Sequence, residues 1–159
     1  MIYVLDTNII RTLLNSFPKK GSLFKRIWDK IDEKIADGEL ISTDECYNEL
    51  KRQFSEKTEE YSWFNKRKKM FMNPTNQESI IIKNILVDPK MRETVHLKNI
   101  LENRPSADIY IVAKAKALGA TVVTKEKHKP NSAQLPDICK RENVQCISFD
   151  DFMEIISEN

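Results

Sequence analysis

Carboxylates at Asp6, Glu49, Asp108 and Glu126 are the side chains of this sequence best suited to chemistry. Asp6 ends an apolar run, Ile2 to Leu5, in the polar turn Asp6-Thr7-Asn8. Asp108 falls in the first turn of a helix that opens after Ser106, and Glu126 follows the β-branched stretch Thr121 to Thr124. Glu49 sits about two turns into a helix that follows a second short strand, and its longer arm reaches inward. In an open parallel sheet, ligands bind beyond the C-terminal strand ends, where strand order reverses. All four acids are expected at that edge. Bare carboxylates gathered there repel one another. Magnesium or manganese relieves the repulsion, because hard divalent cations take oxygen ligands from carboxylates, phosphates and water. Such an ion also activates water and neutralises charge developing on a phosphodiester. Singly, each acid has a plainer role: Asp6 in a turn or cap, Asp108 at the positive end of its helix, Glu49 on a solvated helix face, Glu126 as a loop charge among lysines. Their shared placement is what sets them apart.

The elements that must position these acids follow from periodicity. Ile2 to Leu5 reads as a buried strand and Ile9 to Leu14 as the start of a helix. Leu23, Ile27, Ile31 and Ile35 recur at helical spacing until Gly38. Leu40-Ile41 is a second strand. Ser42 with Glu45 matches a capping box for the helix that contains Glu49. From Lys51 to Asn103 charged and apolar residues alternate in helical rhythm, broken at Asn73-Pro74, which predicts two to four helices and no strand. After Pro105-Ser106 a helix runs through Ile109, Ile111, Val112, Ala115 and Leu118 to Gly119. Thr121 to Thr124 is a strand, Lys125 to Pro130 a basic loop, and Leu135 to Glu142 a short helix. Val144 to Phe149 is a strand, and Asp150 caps a final helix through Phe152, Ile155 and Ile156. Strands alternating with helices imply a parallel sheet covered on both faces.

Length and composition narrow the class. The chain of 159 residues fits one domain, 1–159, with a substantial core. A net charge of +2 favours no partner unless the charges are segregated in space. Three glycines leave little material for a phosphate-cradling loop. Cys46, Cys139 and Cys146 form no CxxC pair, and His96 and His128 lie far apart, which argues against a structural zinc site or a disulfide scaffold. Buried free thiols are the expected state. Asp6 and Arg11 interrupt the apolar N-terminus, unlike a signal-peptide core. No stretch has the length of apolar sequence that spans a bilayer. A cytoplasmic protein with no membrane partner is expected.

Four segments together resemble the PIN-domain family. IYVLDTNII resembles the opening strand running into D-x-N. ISTDECYNEL resembles the segment supplying a helical Glu, and SADIYIVAKAKALGATVVTKEK the Asp-led, alanine-rich helix and the strand after it. LPDICKRENVQCISFDDFMEII is similar to the closing segment of an uncharacterised prokaryotic PIN-like subfamily. The resemblance covers both ends of the chain and little of the helical middle. It implies a three-layer α/β fold: a short, mostly parallel sheet flanked by helices, with a helical middle section. It further implies metal-binding carboxylates at Asp6, Glu49, Asp108 and Glu126, with supporting hydrogen bonds from Asn8 and Thr124. Glu126 departs from the family's more usual Asp, and Asp137 is a reserve residue for the same pocket or a cap on its short helix. The implied activity is Mg²⁺- or Mn²⁺-dependent hydrolysis of RNA phosphodiesters, as in VapC-type toxins, with RNA as substrate, an antitoxin protein as partner and a second copy of the chain in a homodimer. A catalytically degenerate PIN-like module that binds RNA or protein, and a structure-specific DNA nuclease, are the alternatives. A phosphate-accepting response-regulator-like domain is disfavoured, because the paired acids expected after its first strand are missing.

Basic residues surround these acids. Lys125, Lys127 and Lys129, with His128, flank Glu126, either to hold the phosphates beside a scissile bond or as a solvated loop. Lys66-Arg67-Lys68-Lys69 lies between Trp63-Phe64 and Phe71. A charged helix face over core aromatics is the expected reading of that run, with stacking of single-stranded RNA the alternative.

Overall fold

The computed structural model describes residues 1–102, 106–129 and 132–158, and Glu102 by its backbone alone. Among the described residues five parallel strands make one sheet: β1 (Tyr3–Leu5), β2 (Leu40–Thr43), β3 (Phe71–Met72), β4 (Thr121–Val123) and β5 (Cys146–Ile147). Their order is β3-β2-β1-β4-β5. The helices among the described residues are α1 (Thr7–Ser16), α2 (Lys25–Ala36), α3 (Asp44–Gln53), α4 (Glu59–Lys66), α5 (Asn76–Ile85), α6 (Pro89–Glu102), α7 (Asp108–Leu118), α8 (Leu135–Arg141) and α9 (Phe149–Ser157). The expected α/β fold with a parallel sheet is the fold observed. Strand order reverses beside β1, with β2 and β3 on one side and β4 and β5 on the other. That makes the C-terminal ends of β1 and β4 the crevice where such sheets bind ligands.

The central strands β1, β2 and β4 are wholly buried. Tyr3, Val4 and Leu5 pair with Leu40–Ile41 on one side and Thr121–Val123 on the other, and since all three are buried, both faces of β1 are covered. Helix α7 packs across β1, β2 and β4. Ile109, Ile111, Val112, Ala113 and Ala115 are all buried, so this helix is enclosed nearly all round. Gly119 ends it at φ +62°, and the Ala120 N–H reaches back 2.8 Å to the Ala115 carbonyl. A left-handed turn of this kind favours glycine.

The structure corrects several expectations. The middle of the chain is not purely helical, since Phe71–Met72 forms the edge strand β3 on β2 after a 3-10 turn at Lys68–Met70. Two residues are too few to show an alternation. The α3 cap is Thr43, whose hydroxyl accepts from the Cys46 N–H at 3.3 Å, because β2 continues through Ser42. Ser42 instead donates to the Leu5 carbonyl at 2.7 Å. Leu23 precedes α2 and is exposed, outside the stripe it was expected to join. The last strand shortens to Cys146–Ile147, and Ser148, not Asp150, caps α9 in a capping box with Asp151. The expectations at Asn103, Pro105 and Pro130 lie outside the described residues.

One buried ion pair fixes α7 against α5. Lys114 Nζ, only 1% exposed, lies 2.8 Å from Glu78 Oε1 and donates to the Asn73 carbonyl at 3.2 Å. Thr75 donates to the same Glu78 oxygen at 3.3 Å. Removing one partner strands a buried charge, which costs more than the pair itself contributes. Lys114→Met is therefore expected to lower stability by about 3–5 kcal/mol, read as a shift of the denaturant midpoint, with most of the loss recovered in the double variant with Glu78→Leu. A loss below about 1 kcal/mol in the single variant would show that the pair does not tie these helices together.

Candidate active site

Each candidate acid reaches the site from a different element. Asp6 is the first residue beyond β1 and caps the start of α1. Its backbone N–H donates to the Val123 carbonyl at 3.0 Å, which fixes it to the neighbouring strand. Glu126 follows β4 by three residues, and Asp108 opens α7. Because α7 runs back toward the start of β4, its first turn lies at the strand ends where Asp6 emerges. Glu49 lies on α3 and turns inward, 8% exposed.

Hydrogen bonds hold each carboxylate in place. Thr124 donates its hydroxyl to Asp6 Oδ2 at 2.7 Å, accepts from the Glu126 N–H at 3.1 Å, and receives Asn8 Nδ2 at 3.4 Å. Asn8 Oδ1 in turn accepts from the Lys125 N–H at 3.1 Å. Glu49 accepts from the Thr7 hydroxyl at 2.5 Å and from the Ala107 N–H at 3.3 Å, joining the start of α1 to the start of α7. Glu126 Oε2 accepts from the Leu135 N–H at 2.7 Å. Asn8 and Thr124 thus link Asp6 to the loop after β4 in one chain of hydrogen bonds.

The charges feel one another. Burial pushes the Asp6 carboxyl well above its ordinary range, with Asp108, Glu126 and Glu49 pushing the same way and the Thr124 hydrogen bond opposing them. Glu126 is also raised, by burial and then by Asp108, against the Leu135 N–H and Lys98. Among the described residues no three acidic, histidine or cysteine side chains stand close enough to grip one ion as they are arranged. The donor set is nonetheless all oxygen, with Asp6 buried and in no ion pair among the described residues. That chemistry fits a hard divalent cation.

One participant gave no sequence signal. Lys98, on α6, pairs with Asp108 Oδ2 and lies 3.6 Å from Glu126 Oε1. A lysine in a charged helix ten residues before its partner looks like any solvated cation, and only the fold brings it inward. Cys46, buried near Asp6, is no nucleophile: burial, then the Asp6 charge, push its thiol to about 12.

The basic loop is anchored at both ends. Asp137 sits in the first turn of α8, where it accepts from Ser132 at 2.6 Å and from the Lys129 N–H at 3.2 Å and pairs with His128 Nδ1 at 2.5 Å. Asp137 therefore ties this loop to α8. Lys125, Lys127 and Lys129 are exposed. Lys125 Nζ lies 5.9 Å from the Phe149 ring centre, and Lys127, His128 and Lys140 line a cleft of about 560 Å³ that includes Glu126. The second basic run differs: Trp63, Phe64 and Phe71 are buried, so they serve the core and offer no face to a base. Arg67 spends its guanidinium on Asp32 at 2.7 Å.

Solved structures share this architecture. One is VapBC2 from Rickettsia felis bound to a DNA fragment from its promoter, with a TM-score of 0.58 and 16% identity over 93% of this chain and 98% of that one. Another is VapBC-1 from nontypeable Haemophilus influenzae, with a TM-score of 0.52 and 18% identity over 94% and 99% of the two chains. At such identities the likeness is one of fold, and the fold is PIN-like. No curated protein matches the sequence. The family described as DUF4411, a domain of unknown function, matches residues 3–158, and the chain belongs to that family.

Proposed function

We propose that this protein is a metal-dependent endoribonuclease that hydrolyses RNA phosphodiesters at the crevice beside β1. The observation that carries the reading is Asp6: a buried carboxylate, raised by burial and by three acidic neighbours, at the point where strand order reverses. Asp6 and Asp108 would be the principal ligands of a Mg²⁺ or Mn²⁺ ion, with Glu49 and Glu126 completing the pocket. Such an ion, when bound, supplies Lewis acidity toward the phosphodiester and makes an attacking water more acidic. The protein's own contribution is orientation. Thr124 fixes which Asp6 oxygen faces the crevice, Asn8 holds the Lys125 backbone, and Thr7 with the Ala107 N–H aims Glu49. Lys125, Lys127 and Lys129 would hold the phosphates flanking the scissile bond.

The two similar structures are VapBC proteins, which supports a toxin role with an antitoxin as partner. Leu97, Ile100 and Leu101 are 52%, 59% and 85% exposed on one face of α6, an apolar surface suited to a protein partner. A second reading, a PIN-like module without catalysis, is favoured by the Lys98 ammonium between Asp108 and Glu126. Mn²⁺-dependent cleavage of mixed RNAs by the purified protein separates the two.

Asp6→Asn and Asp108→Asn keep the side-chain shape and lose the charge. Each is expected to lower Mn²⁺-dependent cleavage by about 100-fold or more, since several kcal/mol of charge stabilisation leave with the ion. Unchanged rates in folded variants would refute the assignment. A pH dependence follows from the raised Asp6 and Glu126. A carboxylate whose folded pKa exceeds its unfolded value destabilises the folded state once ionised, so the metal-free protein should gain stability as pH falls from neutral through that raised range. Ion binding has the opposite dependence, because protonated carboxylates release the ion. Thermal melts across that window should show the metal-free gain shrinking in Asp6→Asn, and an undiminished gain would remove Asp6 as its source.

A further inference from the structure

Lys98 differs from a surface lysine such as Lys25 in its burial and in meeting two acids. The pair of Lys25 with Asp29 is 68% and 61% exposed and spans one helical turn. Lys98 is 20% exposed and touches two acids from other elements, Asp108 at the start of α7 and Glu126 in the loop after β4, themselves 11% and 24% exposed. Val95, Ser106, Ile109, Ala133 and Ile138 close around Lys98 and Asp108, leaving a void of only about 10 Å³. The two acids therefore meet an ammonium at the place where their oxygens would otherwise face each other. Lys98 and the half-buried Val95 face inward from α6, and Asn99 accepts from the Ser106 N–H at 2.9 Å, while the opposite face of this end is bare. Met91 near its start is buried, while Leu97, Ile100 and Leu101 near its end are exposed. Displacing the ammonium leaves the exposed Leu97, Ile100 and Leu101 without any packing to lose.

We propose that Lys98 is a tethered counter-ion that competes with a divalent cation for Asp108 and Glu126, so that loading the site requires the ammonium to leave. The inference rests on the nuclease reading above and adds that the chain carries its own inhibitor of metal binding. Lys98 supports the fold while no ion is bound, because it separates two like charges, and it weakens the ion's hold by the free energy needed to break its own contacts. Two cations that exclude each other from one pair of carboxylates show negative coupling, which in proteins typically amounts to about 5- to 150-fold in affinity.

The test is Mn²⁺ titration calorimetry at fixed pH on the wild-type protein, Lys98→Met, Lys98→Arg and Lys98→Gln, with thermal melts of each with and without Mn²⁺. Lys98→Met should bind Mn²⁺ roughly tenfold more tightly than wild type. It should also melt lower without the ion and gain more from adding it, as linkage requires. Lys98→Arg keeps the charge and should stay near wild type, while Lys98→Gln serves as the neutral variant if Lys98→Met does not fold. Equal or weaker Mn²⁺ binding in the folded neutral variant, alongside measurable binding by wild type, overturns the competition and leaves the nuclease reading standing. Absence of Mn²⁺ binding in both folded proteins overturns the nuclease reading itself, and the competition with it.

Discussion

Like charge gathered at a sheet edge is the constraint on which the rest of this structure depends. Two unit charges 4 Å apart interact by about 4 kcal/mol at the effective dielectric near a protein surface, and by more where water is scarcer. Asp6, Glu49, Asp108 and Glu126 come from four elements, and the parallel sheet directs all four to the region where β1 and β4 end. Two kinds of partner answer the repulsion. Hydroxyl and N–H donors from Thr124, Thr7, Ala107 and Leu135 orient the carboxylates and stabilise their ionised forms without cancelling the charge. Lys98 cancels charge, and among the described residues its ion pairs are with Asp108 and Glu126. Asp6 keeps a hydroxyl partner and three acidic neighbours, and burial first, then those charges, raise its pKa against the Thr124 hydrogen bond.

Placing the acids is the work of the core, and α7 is the element that connects the two. Its small and branched residues, Ala113, Ala115, Ile111 and Val112, let it lie close on β1, β2 and β4, so its register against the sheet is set by packing on nearly every side. Asp108 is the first residue of that helix. Lys114, buried further along it, adds a directional contact to Glu78 on α5 that an apolar residue could not provide. A shift of α7 by one residue would carry Asp108 about 1.5 Å along the axis and turn it away from the crevice. The buried pair therefore acts on the site through the position of the helix.

The sequence made the sheet and its acids legible because both have local signatures. An apolar run ending in Asp6-Thr7-Asn8, the β-branched Thr121–Val123 and the glycine closing α7 each state their structure within a few residues. Glu49 and Asp108 could be placed because a helix fixes where its first turns lie relative to the preceding strand. What was hidden is non-local. Strand β3 has two residues, Phe71 and Met72, and exists because the exposed edge of β2 is available to pair with them. The cap at Thr43 depended on how far β2 continued, which the hydrogen bond from Ser42 to the Leu5 carbonyl helps to set. Lys98 is the extreme case. Its role depends on the packing of α6 against α7 and the loop after β4, and nothing within its own helix distinguishes it from its charged neighbours.

A tethered ammonium and a free divalent ion solve the same electrostatic problem with different reach. The ammonium is held by the chain, so it is present at every concentration and gives up no translational freedom on binding. Its single charge and three donors serve Asp108 and Glu126, and among the described residues it forms no ion pair with Asp6 or Glu49. A divalent ion gives up translational freedom but brings twice the charge and accepts oxygens from any direction the pocket allows. The carboxylates that Lys98 does not neutralise are thus the ones from which an entering ion has most to gain, and Asp6, buried and raised, is foremost among them. Under the proposed reading, Asp6 beside β1 would hold the ion together with Asp108 and Glu126, which Lys98 would have to release, so that occupancy of the crevice and the position of Lys98 would be two views of one equilibrium.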